Sequence, residues 1–373
     1  MNEKSVKKVA VGLSGGVDSS VAAAMLIEQG YDVTGIYLTC WEEPGCRTDQ
    51  DRKDALKVAT QLGIRFEVLD FRKEYREKVV QNFYDEYKAG RTPNPDVLCN
   101  REIKFGLFYD WALSKGFDFI ATGHYARICK VSQYPSIPVL LLGRPKDLTK
   151  DQTYFLWEVT PEKLAHVLFP LGEMLKSEVR EKAKELNLPT ASKPDSMGIC
   201  FIGEVDVAKL LRAKLGEREG NVVLQSASIP VSQYAIIGKH RGLWFYTIGQ
   251  RGGWEMEHAK QSTKMPPLYV VGKDRERNQL IVGTREQTLV KNIRIAGVEY
   301  RSANKLVQDL CKAGKLFVRI RNLGELYLIK QVNEETSEQM EITVHEPIFG
   351  VAEGQSAVLY DDEGVIVAGG MIS

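Results

Sequence analysis

The chain has 373 residues, with 50 Lys and Arg against 49 Asp and Glu and a formal net charge of +1. This length exceeds a single ordinary core, so we expect two or three domains. The balanced charge is not that of a bulk-basic nucleic-acid binder, although it leaves room for a local basic patch. No apolar run reaches the roughly 20 residues that span a bilayer, and the N-terminus has no signal-peptide core. We therefore expect a cytoplasmic protein with no membrane contact.

A glycine-rich turn lies between the first predicted strand and a strong helix former. It comprises Gly12, Leu13, Ser14, Gly15, Gly16, Val17, Asp18 and Ser19. A strand, a glycine turn and a helix start gather free backbone N–H groups and the positive end of a helix dipole in one concavity. The turn therefore predicts an oxyanion cradle. An ordinary glycine turn, in which Asp18 and Ser19 merely favour the helix start, is the alternative.

The turn differs from a P-loop in its ending. It lacks the Gly-Lys-Ser/Thr sequence, so it has no lysine that would reach the β- and γ-phosphates of a nucleotide. Asp18 would repel a bare triphosphate unless a magnesium ion lies between them. We therefore expect Mg²⁺ only together with a bound triphosphate, and the sequence predicts no metal site of its own.

The first half of the chain alternates predicted strands and helices. Short continuous apolar runs at 9–13, 33–38, 66–71 and 117–122 are typical of buried parallel strands. Amphipathic helices lie between them, which predicts an α/β fold with a doubly wound parallel sheet over residues 1–204. Ligands of such sheets bind at the carboxyl ends of the strands, where the glycine turn lies.

A proline-rich segment at 91–100 interrupts two helical patterns. Its prolines keep the chain extended until Asp96, and if Asp96 caps the next helix, Cys99 lies in the first turn on the same side. A helix N-terminus stabilises a thiolate. The negative charge of Asp96 would oppose this stabilisation, or Asp96 would act as a proton shuttle. A capping loop with an incidental cysteine is the alternative.

The chain has six cysteines, too dispersed for a zinc ribbon or a disulfide scaffold. Cys200 has an apolar flank that by itself favours a small core residue. We interpret Cys40, Cys46, Cys129 and Cys311 as structural or incidental.

The pattern changes after about residue 205. A helix near 206–215 and glycine turns predict a small central domain over 205–267. From 268 onward the hydrophobic period is two, including the runs at 269–271 and 279–282. Repeated short strands predict a small antiparallel β-barrel over 268–373.

The glycine turn resembles the PP-loop of the ATP pyrophosphatases, and six further blocks extend the likeness along the whole chain. They are Asn94-Pro95-Asp96 with Cys99 to Phe105, Ala121 to Arg127, Lys150 to Leu156, Lys193 to Gly203, Tyr246 to Arg251 and Gly354 to Val358. Together they resemble the tRNA-specific 2-thiouridylase family, which converts the wobble uridine at position 34 of tRNA into 2-thiouridine. The resemblance implies a PP-loop, adenine nucleotide alpha-hydrolase-like sheet, a central tRNA-binding domain and a barrel.

The resemblance also implies the chemistry. ATP would adenylate the uracil oxygen, with release of pyrophosphate and then AMP, because oxide is a very poor leaving group. Cys200 would carry a persulfide, Cys99 would resolve it to leave a Cys99–Cys200 disulfide, and Asp96 would be the acid/base residue. The ATP site would include Gly12 to Ser19, Gly123 and Leu38, the last facing adenine.

The resemblance assigns tRNA contacts more widely. Asn94, Pro95 and Asp96 would surround the flipped target base. Further contacts would come from His124, Lys150, Asp151, Gln152, Arg319, Ile320 and Gln355. A capping box with Thr149 as N-cap and Gln152 at the third position is an alternative for that block. Relatives carry Tyr or His where this chain has Ile320, and Lys where it has Gly252, which departs from the family pattern. The implied partners are tRNAs of the Glu, Gln and Lys type and a persulfide-donor protein.

Three other hypotheses remain open. A PP-loop amidotransferase or synthetase would need ATP but neither Cys99 nor Cys200. A non-enzymatic tRNA-binding protein would not need the intact Ser14, Asp18 and Ser19. A third hypothesis changes only the mechanism: Asp96, Cys99 and Cys200 would ligate an iron–sulfur cluster with one open position.

Overall fold

The computed structural model describes residues 6–42, 48–131, 139–195, 200, 206–226, 234–256, 266–301 and 303–373. Cys46 lies outside these residues, as do the neighbours of Cys200 on both sides. Among the described residues, no helix combines the length and apolar character that crossing a membrane requires.

A five-stranded parallel sheet forms the centre of the N-terminal domain. Its strands are β1 (Lys8–Gly12), β2 (Asp32–Thr39), β3 (Arg65–Asp70), β4 (Phe119–Ala121) and β7 (Val167–Leu168), in the order β3-β2-β1-β4-β7. A hairpin of β5 (Arg127–Val131) and β6 (Val139–Gly143) is inserted before β7. The order reverses beside β1, so the carboxyl ends of β1 and β4 form the crevice where ligands of such sheets bind. The predicted parallel sheet is confirmed.

Helices cover this sheet. They are α1 (Val17–Glu28), α2 (Thr48–Leu62), α3 (Arg72–Tyr75), α4 (Gln81–Lys88), α5 (Pro95–Cys99), α6 (Phe108–Ser114), α7 (Thr153–Leu156), α8 (Pro161–Leu164) and α9 (Lys176–Glu185). Two π-helical stretches, Arg76–Val80 and Asn100–Leu107, join α3 to α4 and α5 to α6. As the 3.6-residue period predicts, Ala55, Val58 and Ala59 of α2 are fully buried against the sheet.

The central domain follows. It has helix α10 (Val207–Leu215), capped by Asp206, and strands β8 (Gly220–Leu224), β9 (Ala235–His240), β10 (Glu255–Met256), β11 (Tyr269–Asp274) and β12 (Gln279–Gly283). The strand order is β10-β9-β8-β12-β11. The runs at 269–271 and 279–282, which the sequence analysis assigned to the barrel, therefore belong to this central sheet. Hydrophobic alternation identified them as strands, but it cannot specify the sheet in which a strand pairs.

A closed six-stranded barrel ends the chain. It is built from β13 (Leu289–Tyr300), β14 (Phe317–Arg319), β15 (Tyr327–Thr336), β16 (Gln339–Phe349), β17 (Ser356–Tyr360) and β18 (Ile366–Ile372), with helix α11 (Asn304–Lys312) against it. All pairings within the barrel are antiparallel. The predicted barrel is confirmed, and it starts at β13.

The barrel packs against the N-terminal domain through buried polar contacts. The Tyr154 hydroxyl donates to the backbone oxygens of Ile320 at 3.1 Å and Ser356 at 3.0 Å, and Trp157 Nε1 donates to Ser356 Oγ at 3.0 Å. These groups need their partners because unpaired buried polar groups are costly. The barrel is thus held in one orientation on α7.

Candidate active site

The glycine turn lies at the carboxyl end of β1 and begins α1. Gly16 is the N-cap of α1, and the Ser14 N–H donates to Ser19 Oγ at 3.1 Å. The Ser14 and Ser19 hydroxyls are hydrogen-bonded at 3.2 Å, which links the start of the turn to the first turn of α1. The arrangement points the first N–H groups of α1 into the crevice, as an anion cradle requires.

Two glycines are fixed by close backbone packing around this turn. Gly15 has a φ of +73°, and a Cβ there would lie 2.2 Å from the Asp51 backbone oxygen. A Cβ on Gly123, just after β4, would lie 2.6 Å from the Ser19 nitrogen. The structure therefore brings Gly123 directly to the turn, because only glycine permits this approach.

Lysines from distant segments supply the positive charge that the turn itself lacks. Lys176 Nζ, at the start of α9, lies 2.6 Å from Asp18 Oδ1 and 2.9 Å from Asp195 Oδ1. Lys193 Nζ donates to the Gly15 carbonyl at 2.8 Å. Sequence reasoning missed both lysines, because the P-loop pattern places its lysine inside the turn.

Leu38 lies near the end of β2 and is buried in the core, with an exposed fraction of 7%. Lys150 is half-buried and pairs with Asp195 at 2.8 Å. Because Asp195 also pairs with Lys176, which contacts Asp18 of the glycine turn, Lys150 lies beside the nucleotide crevice.

The helix that contains Cys99 starts two residues earlier than the sequence analysis supposed. Asn94, and not Asp96, is the N-cap: its side-chain oxygen accepts from the Asp96 N–H at 3.2 Å and from the Val97 N–H at 3.4 Å. Pro95 occupies the first helical position, where its missing N–H costs nothing. Asp96 is thereby free of the capping role.

The fold brings Cys99 and Cys200 together although 100 residues separate them in the chain. The Cys99 and Cys200 thiols are hydrogen-bonded to each other and form no disulfide. The Cys200 N–H donates to Asp96 Oδ1 at 2.8 Å, and the Tyr75 hydroxyl donates to the Cys200 carbonyl at 2.7 Å. Cys99 is fully buried, whereas Cys200 is half-buried. Asp96, Cys99 and Cys200 therefore form one cluster, the cysteine site.

The electrostatics of the cysteine site distinguish its two thiols. The hydrogen bond from Cys99 and the positive charge of Lys104 lower the pKa of Cys200 to about 7 against the opposing effect of burial. Burial raises the pKa of Cys99 well above its ordinary value. Burial also raises the pKa of Asp96. The Cys200 thiol therefore ionises more readily than the Cys99 thiol.

Lys104 connects the cysteine site to the nucleotide crevice. It lies in the π-helical stretch after α5, is hydrogen-bonded to Cys200, and its Nζ lies 3.4 Å from His124 Nε2. His124 directly follows Gly123 and is buried, with its Nδ1 2.7 Å from Thr122 Oγ1. Sequence reasoning missed Lys104 and Tyr75, since neither has a residue-type pattern that separates it from a surface helix.

Several residues proposed as tRNA contacts are buried in the domain interface. Asp151 is fully buried and accepts from Arg144 Nε and Arg319 Nη1, both at 2.7 Å. Arg319 and Ile320 have exposed fractions of 2% and 3%. In this conformation these three residues present no side-chain surface to a tRNA, and the ion cluster instead joins the barrel to the N-terminal domain. Hydrophobicity patterns cannot reveal such a buried ion pair.

Gln152 and Gln355 also have intramolecular partners. The Gln152 side-chain oxygen accepts from the Tyr125 N–H at 2.9 Å, and Gln355 Nε2 donates to the Thr92 carbonyl at 2.7 Å. The capping-box alternative is wrong, because Asp147 caps the turn at 148–150 and the Asp151 carboxylate accepts from the Thr153 N–H. Gln355 thus supports the loop that leads to Asp96.

A metal cluster on Asp96, Cys99 and Cys200 has no support in the geometry. No three His, Cys, Asp or Glu side chains within the described parts of the chain converge as a metal-ligand set. Asp96 Oδ1 accepts a hydrogen bond from the Cys200 N–H, and the two thiols are hydrogen-bonded to each other. The described residues therefore show no pre-formed ligand set for an iron–sulfur centre.

Family comparisons cover nearly all of the chain. The model described as "tRNA methyl transferase HUP domain" matches residues 7–204, "tRNA methyl transferase PRC-barrel domain" matches 208–284, and "Aminomethyltransferase beta-barrel domain" matches 292–372. The second match ends just after β12, in agreement with the central sheet.

Curated relatives share one description, tRNA-specific 2-thiouridylase MnmA. The chain is 41% identical to the protein of Lysinibacillus sphaericus over 97% of this chain and 93% of that one. It is 41% identical to the protein of Bacillus subtilis, over 95% of this chain and 92% of that one. It is 49% identical to the protein of Akkermansia muciniphila, over 74% of each chain.

Proposed function

Because the chain belongs to the tRNA-specific 2-thiouridylase family, we propose that it uses ATP to adenylate O2 of the wobble uridine and then replaces that oxygen with sulfur. The observation that carries the proposal is the pairing of Cys99 with Cys200 beside Asp96. Lys104 and His124, which contact each other, lie between this pair and the glycine turn. An ammonia-using synthetase has no use for such a pair.

The nucleotide half of the reaction falls to the glycine turn. Backbone N–H groups of α1, together with Lys176 and Lys193, are suited to hold phosphate oxygens and to stabilise departing pyrophosphate. Asp18 offers a carboxylate for the magnesium ion of Mg²⁺–ATP, provided that Lys176 shares it. Leu38 stays a proposal as an adenine contact, and Gly123 stays a proposal as an ATP contact.

The sulfur half falls to the two cysteines. A persulfide on Cys200 attacks C2 of the adenylated uridine: its terminal sulfur forms the S–C2 bond while the C2–O bond breaks and AMP leaves with the electron pair. Asp96 then accepts the Cys99 proton, and the Cys99 thiolate attacks the Cys200 sulfur. The Cys200–S bond breaks, a Cys99–Cys200 disulfide forms, and the proton held by Asp96 passes to the thiolated base. A thiol reductant must reduce the disulfide before the next turnover.

The different exposure of the two thiols supports these roles. Half-buried Cys200 can receive sulfur from a donor protein, whereas fully buried Cys99 reacts only with a group already inside the site. Asn94 and Pro95 stay proposals as walls around the flipped base. His124, Lys150, Gln152 and Gln355 stay proposals as tRNA contacts, and so do tRNAs of the Glu, Gln and Lys type and the cytoplasmic location.

Reconstitution tests the proposal. Purified protein is incubated with Mg²⁺–ATP, unmodified tRNA and a persulfide donor, and the digested tRNA is analysed for 2-thiouridine. We expect product from the wild type and from Cys129→Ser, whose thiol lies in the β5–β6 hairpin, and none from Cys99→Ser or Cys200→Ser. Full activity in either of the last two variants contradicts the two-cysteine mechanism. Iron-dependent absorbance in anaerobically purified protein, lost with activity on chelation, favours the cluster instead.

A further inference from the structure

The Lys104 side chain lies between two groups that the chain brings together from distant segments. One is Cys200, to which it is hydrogen-bonded, and the other is His124, whose Nε2 lies 3.4 Å from Lys104 Nζ. Lys104 itself comes from the π-helical stretch Asn100–Leu107, which follows Cys99 directly. Such π-helical stretches occur often at functional sites, since the wider turn redirects a side chain.

His124 is neutral and accepts a hydrogen bond from the Lys104 ammonium group. Burial, with the nearby Lys104 charge, lowers the pKa of His124 well below its ordinary value, so the ring is neutral. An ammonium group has only donors, so His124 Nε2 is the acceptor in this contact and its proton resides on Nδ1. That N–H then donates to Thr122 Oγ1, 2.7 Å away. The positive charge of Lys104 is therefore not neutralised from this side.

We propose that Lys104 is a catalytic residue that holds the sulfur carried by Cys200 as an anion, and that His124 is the positioning residue for its ammonium group. This inference rests on the proposed role of Cys200 as the sulfur carrier. Lys104 remains protonated throughout and transfers no proton. It stabilises the sulfur anion until that sulfur's electron pair enters the bond to C2.

The charges around this ammonium fit the role. The titratable groups that face it or its sulfur are Asp96 and Cys99 of α5, Cys200, Cys40 after β2, Tyr75 of α3 and His124 after β4. Burial keeps the protons of Tyr75, Cys40 and Cys99 in place, because it raises the pKa of each. Asp96 and Cys200 are the groups left to bear negative charge near Lys104.

The test is the pH profile of Cys200 alkylation in the reduced full-length protein, with iodoacetamide and with peptide mass spectrometry to separate Cys200 from Cys99. We expect the wild-type rate to be half-maximal near pH 7, as the pKa of Cys200, lowered by Cys99 and Lys104, predicts. Lys104→Met should move the midpoint up by at least one pH unit, which reduces the rate at pH 7 about fivefold or more. Lys104→Arg should restore most of the rate, because it keeps the cation.

The matched control is Lys163→Met, which removes another half-buried lysine, from helix α8, where Lys163 Nζ donates to the Phe105 carbonyl. This variant should keep the wild-type midpoint. His124→Leu should raise the midpoint by less than Lys104→Met does, and an unchanged midpoint in His124→Leu overturns the positioning role.

Two results overturn the role of Lys104: a wild-type midpoint above pH 8.5, or a wild-type profile in Lys104→Met. The first needs no variant, so a folding defect in Lys104→Met leaves the inference testable. Alkylation requires neither ATP nor tRNA. If either of these alkylation results is found and 2-thiouridine still forms normally, only the role of Lys104 is refuted. If alkylation follows the expected pH profile but no 2-thiouridine forms, the proposed function is refuted.

Discussion

The nucleotide crevice and the cysteine site are assembled in opposite ways. The crevice is centred on one contiguous stretch, residues 12–19, whose backbone shape does most of the work. The cysteine site collects single side chains from α3, α5, the π-helical stretch and the segment at Cys200. A contiguous site depends on local backbone geometry, whereas a dispersed site depends on the whole fold. Substitutions should therefore damage the two sites through different physical causes.

Asp96→Asn is expected to have the largest effect. The Asn side chain keeps an oxygen for the Cys200 N–H, which Asp96 Oδ1 accepts at 2.8 Å, but it cannot take the Cys99 proton. Loss of a positioned acid/base group typically costs 10²–10⁴-fold, so we expect 2-thiouridine formation to fall by about that factor. Single-turnover assays should show unchanged pyrophosphate release. Asp110→Asn, an exposed acid on α6, is the control, and equal activity of the two variants contradicts the role of Asp96.

Gly15→Ala should damage the crevice through backbone displacement. A Cβ at this position would lie 2.2 Å from the Asp51 oxygen, and φ is +73°. Displacement of the turn by about 1 Å can cost on the order of 100-fold in rate, which pyrophosphate release would measure. Gly30→Ala is the matched control, because Gly30 has a φ of +86° but open space around it. If both variants lose activity equally, the strain of a non-glycine residue at positive φ explains the loss, and displacement of the glycine turn does not.

The contrast between a contiguous site and a dispersed one also explains which features could be predicted from the sequence. The glycine turn and the parallel sheet could be predicted because local patterns encode them. The sheet membership of β11 and β12 could not, since it depends on tertiary pairing. The N-cap at Asn94 does have a local signal, an Asn followed by Pro at the first helical position, which the assignment of the cap to Asp96 overlooked. Resemblance named Cys99 and Cys200, and the fold adds Lys104, Tyr75 and Lys176, whose residue types are common on helix surfaces.

Arg319→Met is expected to act on stability more than on chemistry. Removal of Arg319 leaves fully buried Asp151 with a weaker set of donors. Loss of one partner of a buried ion pair costs about 3 kcal/mol, which denaturant-induced unfolding of the full chain would measure. Arg241→Met breaks the exposed pair with Glu255 and should cost at most about 1 kcal/mol. If Arg319→Met instead weakens only tRNA binding, Arg319 acts as the family resemblance implied.

We propose that activation by ATP in the nucleotide crevice is coupled to sulfur transfer from Cys200 in the cysteine site. A single-turnover experiment tests it most directly: protein carrying a ³⁵S-labelled persulfide is mixed with Mg²⁺–ATP and unmodified tRNA, without free sulfur donor. We expect label to move to 2-thiouridine, at most one per protein, and a Cys99–Cys200 disulfide to appear in equal amount. Neither event should occur without ATP. Labelled tRNA without that disulfide, or transfer in the absence of ATP, would contradict it.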